Sequence, residues 1–308
     1  MDRPLCLIVN PAARNGRGRA LLPQATEALA QAGQEHRVVQ STSLEHAGDL
    51  AAEAAGRGEV VVAVGGDGMA GALAGAAAAS SAQFGLIPTG RGNDLASVLG
   101  IPSDPAAAAR VLAAGELAQV DLIAASTPDT AEVIVAGSVY AGIPAVAGEI
   151  ANSTRWLGGS LVYPVAALRA LAWWKPARFT VSIDGADGAH EYEGYAVVVA
   201  NSPQFGAGMR VAPPALIDDG VLDIVLMQDA AKVMFVKALL KIKDGSHVTL
   251  PQITLLRGAD VTITMSRDLP AAADGEPLAC ASPLAAGTPL RVRALPAALT
   301  VIVSARPS

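Results

Sequence analysis

Three glycine-rich loops carry the strongest chemical signal in this sequence. They occupy residues 10–18, 65–68 and 88–94, and each follows a short apolar run. Glycine lets the chain turn tightly and brings backbone N–H groups close to a ligand, and each loop leads toward a predicted helix whose N-terminus carries partial positive charge. These features together favour a phosphate-binding site. Arginines in or beside the loops add positive charge: Arg14, Arg17, Arg19 and Arg91.

Any one of the loops, taken alone, is more often an ordinary turn between a strand and a helix, but three at one edge of a sheet favour a ligand site.

Two familiar phosphate motifs are excluded. Gly16-Arg17-Gly18 resembles the start of a dinucleotide fingerprint, yet the third glycine position is Leu21 and no acidic residue ends the next strand. The chain also has no Gly-Lys-Ser/Thr tripeptide, which a P-loop requires. The sequence therefore predicts a phosphate site of another type and disfavours a dinucleotide-dependent enzyme.

Two acidic clusters lie in the second half of the chain. One is the segment DDGVLD at residues 218–223, and the other is Asp274-Gly275-Glu276. Closely spaced carboxylates can hold a hard cation such as Mg²⁺ or accept a proton from a hydroxyl. Taken alone, each cluster is more often an ordinary acidic turn. A further glycine-rich turn, NSPQFGAGM at residues 201–209, is a third candidate for the same region.

The elements that must position the first three loops follow a regular alternation. Short apolar runs predict buried parallel strands at residues 5–10, 36–40, 60–64 and 84–88. Alanine- and leucine-rich segments between them predict helices at residues 19–32, 45–55, 69–80 and 105–114. This alternation indicates an open, mainly parallel α/β sheet that binds ligands at the carboxyl ends of its strands. We assign residues 1–125 to this α/β domain.

The pattern changes after a turn-rich junction at residues 126–130. Runs that alternate apolar and polar residues follow, as is typical of half-exposed antiparallel strands. Helical segments interrupt them near residues 163–174 and 231–242. We therefore expect a second, β-rich domain over residues 126–290. The last run, LTVIVSA at 299–305, is a candidate to return to the first domain with residues 291–308.

Composition narrows the class of protein. The 308 residues carry 22 basic and 28 acidic side chains, a net charge of −6, whereas a nucleic-acid binder is expected to be basic. Cys6 and Cys280 cannot build a disulfide framework, Cys6 is predicted to be buried, and the scattered histidines indicate no zinc site. No secretory signal and no transmembrane segment are apparent. A soluble cytoplasmic protein is the resulting expectation.

The loops in their order along the chain resemble the diacylglycerol kinase catalytic-domain family. The resemblance rests on Asn10-Pro11, GGDG at 65–68, PTGRGND at 88–94, NSPQFGAGMRVAPPALIDDGVLD at 201–223 and DGE at 274–276. The chain is similar to the bacterial soluble lipid kinases, which are related to sphingosine kinases and NAD kinases. The resemblance implies an N-terminal nucleotide-binding α/β domain, a C-terminal β-sandwich-like domain and an active site in the cleft between them.

The same resemblance implies roles for individual residues. Glu276 would accept the proton, supported by Asp274, and a structural Mg²⁺ would be held by Asp219 and by the main chain of Leu216 and Val221. Met69 stands where the family usually has threonine, so any contact there would come from the backbone. The implied ATP-binding residues are Asn10, Pro11, Ala12, Ala13, Ser41, Gly65, Gly66, Asp67, Gly68, Met69, Thr89, Asn93 and Asp94.

The implied activity is transfer of the γ-phosphoryl group of MgATP to a lipid hydroxyl, with diacylglycerol as the expected acceptor and phosphatidic acid as the product. A sphingoid base, another glycerolipid, and a non-catalytic nucleotide or lipid sensor are the alternatives. The lipid would be met at a membrane surface by peripheral contact, without nucleic acid as a partner, and a homodimer is left open. The segment from Trp156 through Tyr163 to Trp173 and Trp174 is the candidate membrane contact, and a helix packed in the second domain is its alternative.

Overall fold

The computed structural model describes residues 3–10, 17–90, 92–153, 162–185, 188–206, 208–278 and 283–304. The chain forms two compact units. One comprises Met1–Leu122 together with Pro296–Ser308, and the other comprises Ile123–Leu295. The second unit is thus a continuous segment inserted between two parts of the first.

A parallel sheet forms the centre of the first unit. Its strands are β1 (Leu5–Val9), β2 (His36–Gln40), β3 (Val60–Gly65) and β4 (Gln83–Pro88), in the spatial order β2–β1–β3–β4. Strand β1 is buried along its whole length, as is β3. Burial on both faces explains why their sequences are continuous apolar runs. Burial also raises the pKa of the Cys6 thiol to about 11, in keeping with an inert core cysteine.

Helices follow the strands as the sequence predicts. They are α1 (Arg17–Gln31), α2 (Leu44–Gly56), α3 (Asp67–Ala79) and α5 (Pro105–Ala114), with the short α4 (Asp94–Val98) before the last. Helix α4 was not predicted from the sequence, nor was the strand β5 (Glu116–Ser126) that follows α5. Asp104 caps α5 by accepting a hydrogen bond from the Ala107 amide at 2.8 Å.

The second unit is rich in antiparallel strands. They are β6 (Val133–Val135), β7 (Ser138–Gly142), β8 (Ala177–Ile183), β9 (His190–Ala200), β10 (Leu222–Gln228), β11 (Ile253–Gly258), β12 (Asp260–Met265), β13 (Ala271–Ala273) and β14 (Glu276–Pro277). The long strand β9 is central, because it pairs with β7, β8 and β10. The core of this unit includes Phe179, Val181, Val197 and Ile224, all fully buried.

The final strand contributes to both units. β15 (Leu290–Val303) joins two runs that the sequence pattern separates. Its first residues pair with β12, as Leu290 opposite Ile263, and Thr300 and Val301 pair in parallel with Gln83 and Phe84 of β4.

Three helices belong to the second unit: α6 (Ile143–Ser153), α7 (Val162–Trp173) and α8 (Lys232–Lys241), and a 3-10 helix spans Ser246–Thr249. The last two α-helices match the two predicted helical segments, whereas α6 was not predicted. Among the described residues, no helix combines the length and the apolar character needed to span a bilayer.

Candidate active site

The parallel sheet of the first unit brings the second and third candidate phosphate loops to one edge, together with Asn10 at the start of the first. Strands β1, β3 and β4 run in the same direction, with Val9 opposite Val64 and Gly65 opposite Pro88. Their carboxyl ends therefore lie side by side, as expected from the sequence. The Thr89 amide donates to the Gly65 carbonyl at 2.8 Å, which fixes the third loop against the second.

The second and third loops touch through their glycines. A Cβ atom placed on Gly66 would lie 3.0 Å from the Cα of Gly90, and one placed on Gly90 would lie 2.5 Å from the Cα of Gly66. These separations leave no room for a side chain at Gly90 and little at Gly66. Glycine is thus required here by close approach of two backbones, and neither residue has positive φ.

Asp67 holds this arrangement in place. Its carboxylate accepts hydrogen bonds from the backbone amides of Asn93 at 2.9 Å and Asp94 at 2.7 Å. Asn93 adopts a left-handed conformation with φ 55°, and its Oδ1 accepts from the Gly90 amide at 2.8 Å. These bonds from Asp67 join residues 26 and 27 positions apart in the chain. The three residues that the resemblance assigned to ATP therefore hold the loops together.

Two observations fit a nucleotide phosphate at this edge. Helix α3 begins at Asp67 with Gly66 as its N-cap, and no side chain caps its first amides. The Ser41 side chain is 1% exposed at the end of β2, and its hydroxyl has no hydrogen-bond partner among the described residues. A buried polar group without a partner is costly, and a ligand oxygen or hydroxyl would satisfy it.

Met69 is explained by packing. Its side chain is 6% exposed, and its Cβ would lie 2.6 Å from a Cβ placed on Gly65. The Met69 side chain packs against Gly65 in the interior of the first unit, so an apolar side chain suits this position. Thr89 is likewise buried, at 6% exposure.

Several residues of the proposed ATP site lie outside the described residues: Pro11, Ala12, Ala13, Arg14 and Arg91. The side chains of Arg17 and Arg19 are also outside the described part of the chain. Asn10 is described as half-buried immediately after β1, at the edge where the loops meet. Gly68 lies in the first turn of α3.

In the second unit, Asp274 and Gly275 form the turn of a two-residue hairpin between β13 and β14. Both have positive φ, 45° and 90°, which is the conformation of a type I′ turn and suits the Asp-Gly pair. The Asp274 carboxylate accepts hydrogen bonds from the amides of Ala136, Gly137 and Ser138, at 2.8–3.1 Å. Asp274 is therefore a positioning residue that anchors the hairpin.

Glu276, by contrast, is exposed on β14, and its carboxylate makes no hydrogen bond or ion pair with the described residues. The turn before it is fixed again by Tyr140, whose Oη accepts from the Gly275 amide at 3.1 Å. A groove beside the hairpin is lined by Tyr140, Glu149, Gly275 and Pro277, together with alanine and glycine residues. An anchored turn thus presents an available carboxylate.

The NSPQFGAGM turn converges on the same backbone segment. The Asn201 amide donates to the Gly137 carbonyl at 2.8 Å, and the Asn201 Nδ2 donates to the Ala136 carbonyl at 3.1 Å. The ring of Phe205 packs against Tyr140 with 4.5 Å between centroids. Segments 136–138, 201–205 and 274–276 therefore form one cluster. The amides at 136–138 and Tyr140 were missed by sequence reasoning, since no local motif connects them to a residue some 136 positions away.

The remaining acidic cluster does not fit the predicted magnesium site. One oxygen of Asp219 accepts from the Val221 amide at 3.1 Å, and the other bonds the Arg257 guanidinium. No group of three His, Cys, Asp or Glu side chains suited to a metal exists in the described ranges. The expected Mg²⁺ at Asp219 and at the main chain of Leu216 and Val221 is therefore not supported, because a guanidinium already neutralises the carboxylate.

Strand pairing explains why Arg257 was missed. It lies on β11 directly opposite Asp223 of β10, 34 residues away in sequence, and its Nε is 3.5 Å from the Asp223 Oδ1. Asp223 is 1% exposed, and burial raises the pKa of its carboxyl, while the charge of Arg257 opposes that rise and the charge of Asp219 adds to it. A register between two strands cannot be inferred from the acidic motif alone.

Arg257→Gln should lower the free energy of unfolding by about 1–3 kcal/mol at pH 7. This is below the full cost of breaking a buried pair, because the guanidinium is half exposed and therefore screened. The raised pKa of Asp223 means that its burial cost is present at neutral pH and disappears as the pH falls through the folded-state pKa. The loss should therefore shrink toward about pH 4, as measured by urea unfolding at both pH values.

Arg178→Gln is the matched control, because Arg178 pairs with Glu193 at 3.8 Å on an exposed surface. We expect this variant to stay within about 0.5 kcal/mol of the parent. Mg²⁺ should not raise the melting temperature through Asp219. A rise that Asp219→Asn abolishes would show that an ion displaces Arg257.

Comparison with known proteins gives two domain matches. Residues 4–125 match the family described as "Diacylglycerol kinase catalytic domain", and residues 137–303 match "YegS C-terminal NAD kinase beta sandwich-like domain". The chain is 29% identical to the diacylglycerol kinase of Mycobacterium tuberculosis (strain ATCC 25618 / H37Rv), over 82% of this chain and 79% of that one. It is 30% identical to the protein named "Probable lipid kinase YegS-like" of Stenotrophomonas maltophilia (strain K279a), over 71% and 73%.

Solved structures show the same fold. A diacylglycerol kinase from Bacillus anthracis str. Sterne superposes with a TM-score of 0.72 over 98% of this chain and 97% of that one, at 18% identity. This likeness agrees with the architecture expected from the sequence: an N-terminal, mainly parallel α/β sheet and a C-terminal β-rich domain that matches the sandwich-like family.

Proposed function

Because the chain belongs to the bacterial lipid kinases that combine a diacylglycerol kinase catalytic domain with a YegS C-terminal domain, we propose that it phosphorylates diacylglycerol to phosphatidic acid. Membership makes the chain a lipid kinase, a phosphotransferase that uses ATP. The choice of diacylglycerol follows the name of the M. tuberculosis relative. The location of the reaction, at the cytoplasmic face of a membrane, is part of the same proposal.

The phosphate-binding half of the reaction is assigned to the first unit. The glycine loops at residues 65–68 and 88–94 would hold the phosphates with backbone amides, supported by the N-terminus of α3. Ser41 would supply a hydroxyl partner from the end of β2. Phosphoryl transfer needs little covalent chemistry from a protein, so positioning the phosphates is the main contribution of these loops.

The proton-accepting half is assigned to Glu276. The lipid hydroxyl oxygen forms a bond to the γ-phosphorus, the bond from that phosphorus to the bridging oxygen of ADP breaks, and the hydroxyl proton passes to the Glu276 carboxylate. Asp274 contributes by holding the hairpin through three backbone amides. The observation that carries the proposal is this contrast between an anchored aspartate and an exposed glutamate two residues later.

Magnesium is proposed only as the ion that accompanies ATP, where it neutralises charge on the β- and γ-phosphates. The pairing of Asp219 with Arg257 gives no support for a second, structural ion. The alternative of a non-catalytic sensor rested on Met69, whose side chain is buried against Gly65, and the turnover assay below separates that alternative from a kinase.

Radiolabelled ATP with purified lipids tests the acceptor. The protein is incubated with dispersed diacylglycerol, a sphingoid base or a monoacylglycerol, and the products are separated by chromatography. We expect label in phosphatidic acid. Preferential labelling of another lipid would correct the acceptor, and no label in any lipid, with the protein folded, would contradict the proposed reaction.

A further inference from the structure

Helix α7 carries large apolar side chains on its exposed face as well as its buried one, together with the exposed Arg169. Leu171 and Trp174 face the core, with Trp174 only 8% exposed and Arg267 stacked over its ring at 4.8 Å. On the opposite face, Val165 is 47% exposed, Leu168 42% and Trp173 87%. Their spacing at i, i+3 and i+8 places them along one side of a helix. Large apolar side chains on the exposed face of a helix point to a second apolar partner or a membrane.

Helix α8 presents a similar face with added positive charge. Val233 is 61% exposed and Leu240 is 77% exposed. Lys237 and Lys241 are exposed at the intervening helical positions, and neither forms an ion pair with a described carboxylate. This face therefore combines large apolar side chains with lysines, which is typical of helices that lie in a membrane interface.

The two helices are joined. The Lys232 Nζ, at the start of α8, donates a hydrogen bond to the carbonyl of Ala172 near the end of α7, at 2.8 Å. Lys232 is therefore in contact with Ala172, the residue before Trp173. We define the α7–α8 surface as Leu168, Trp173, Val233, Lys237, Leu240 and Lys241.

The distribution of lysine along the chain favours an anionic membrane as the partner of this surface. The chain carries five lysines against seventeen arginines, and all five lie at this surface or beside it: Lys175, Lys232, Lys237, Lys241 and Lys243. No acidic residue occurs between Asp229 and Asp244, although the whole chain has a net charge of −6. The long alkyl stem of lysine can lie along the acyl boundary while its ammonium group reaches the headgroups.

We propose that the α7–α8 surface binds a membrane rich in anionic phospholipid, with Trp173 and Leu240 entering the interface and the lysines contacting the headgroup phosphates. An indole is well suited to the boundary between acyl chains and headgroups. Basic residues close to an anionic surface strengthen binding by roughly fivefold each. This inference rests on the proposed function, because it supplies the contact by which a lipid kinase reaches its substrate.

The test measures binding to vesicles without nucleotide. Vesicles of phosphatidylglycerol and phosphatidylcholine in equal amounts are sedimented with the protein, and pure phosphatidylcholine vesicles serve for comparison. We expect binding to the anionic vesicles only. Lys237→Glu with Lys241→Glu should weaken it at least tenfold, and Trp173→Ala with Leu240→Ser should also weaken it at least tenfold.

Arg57→Glu with Arg110→Glu is the matched control, since it changes the net charge by the same amount on exposed residues of the first unit. We expect this control to bind anionic vesicles like the parent. Equal weakening by the two charge reversals would overturn the proposal, as would parental binding by the lysine variant. Failure of the parent to bind anionic vesicles would also overturn it and would point to a protein partner.

Kinase activity on a short-chain diacylglycerol in solution separates this inference from the proposed function. The surface variants should retain parental activity on that substrate, which needs no membrane, and lose activity on long-chain diacylglycerol in anionic vesicles. If the parent labels no lipid but binding still depends on the lysines, the proposed reaction fails and the membrane surface stands. If the lysine variant loses activity on both substrates, the surface supports the fold and the inference fails.

Discussion

Glu276→Gln should lower turnover with diacylglycerol by about 100-fold or more, which is the size expected for the loss of a general base. Glutamine keeps the shape of the side chain but cannot accept the hydroxyl proton. Because Glu276 is exposed and makes no hydrogen bond with the described residues, the fold should be unaffected. Initial rates at saturating ATP, with the KM for ATP measured in parallel, check the expectation; that KM should change little.

Two further variants help to interpret the effect of Glu276→Gln. Glu193→Gln, at another exposed glutamate of the second unit, should leave turnover unchanged. Asp274→Asn should lower both turnover and melting temperature, because its carboxylate anchors the hairpin through three amides. If Glu276→Gln turns over within a few-fold of the parent, Glu276 is not the proton acceptor and another base must be sought.

Gly90→Ala should weaken ATP binding at least tenfold. The new Cβ would lie 2.5 Å from the Cα of Gly66 and 2.6 Å from the Asn93 Oδ1, so the two phosphate loops must separate. Gly66→Val, whose Cβ would lie 3.0 Å from Gly90, should have an effect in the same direction, because the branched side chain also blocks close approach of a phosphate. Isothermal titration with a non-hydrolysable ATP analogue measures both.

Gly48→Ala provides the control for substitution of glycine. Gly48 lies within α2, a Cβ added to it would meet no atom within 4 Å, and its φ is not positive. The change should leave ATP affinity intact and stabilise the protein slightly, as alanine favours helix over glycine. Parental ATP affinity in a folded Gly90→Ala variant would remove this pair of loops from the proposed nucleotide site.

The sheet of the first unit was predictable because β1, β3 and β4 are buried on both faces, whereas the edge strand β2, also predicted to be buried, is half-exposed. Continuous apolar runs separated by alanine-rich helices leave few other arrangements, and the parallel order then places the loop residues at one edge. What lay beyond prediction was the contact between loops. The bond from Asn93 to Asp67 and the approach of Gly90 to Gly66 depend on the spacing of neighbouring strands, which no local motif encodes.

The elements that were missed have weak local signals. β5 has the sequence ELAQVDLIAAS, in which alanine and leucine do not favour a strand over a helix. α6 contains Pro144 and Gly148, both poor helix formers, and directly follows a β-rich run. In both, tertiary packing overrides local propensity. The different environments of Trp173 and Trp174 were also unpredictable. Trp173 is exposed and Trp174 is buried, and the sequence of two adjacent tryptophans gives no local signal of which one faces the core.

The insertion of the second unit within the first has a consequence for biosynthesis. Strand β4 gains its outer neighbour from Thr300 and Val301, which are made more than two hundred residues after it. During translation, therefore, the sheet that includes the glycine loops has an unpaired edge until Thr300 and Val301 have left the ribosome. Such an edge is a site for unwanted pairing with another chain. The inserted unit, Ile123–Leu295, is therefore synthesised in full while the sheet of the first unit still has an unpaired edge.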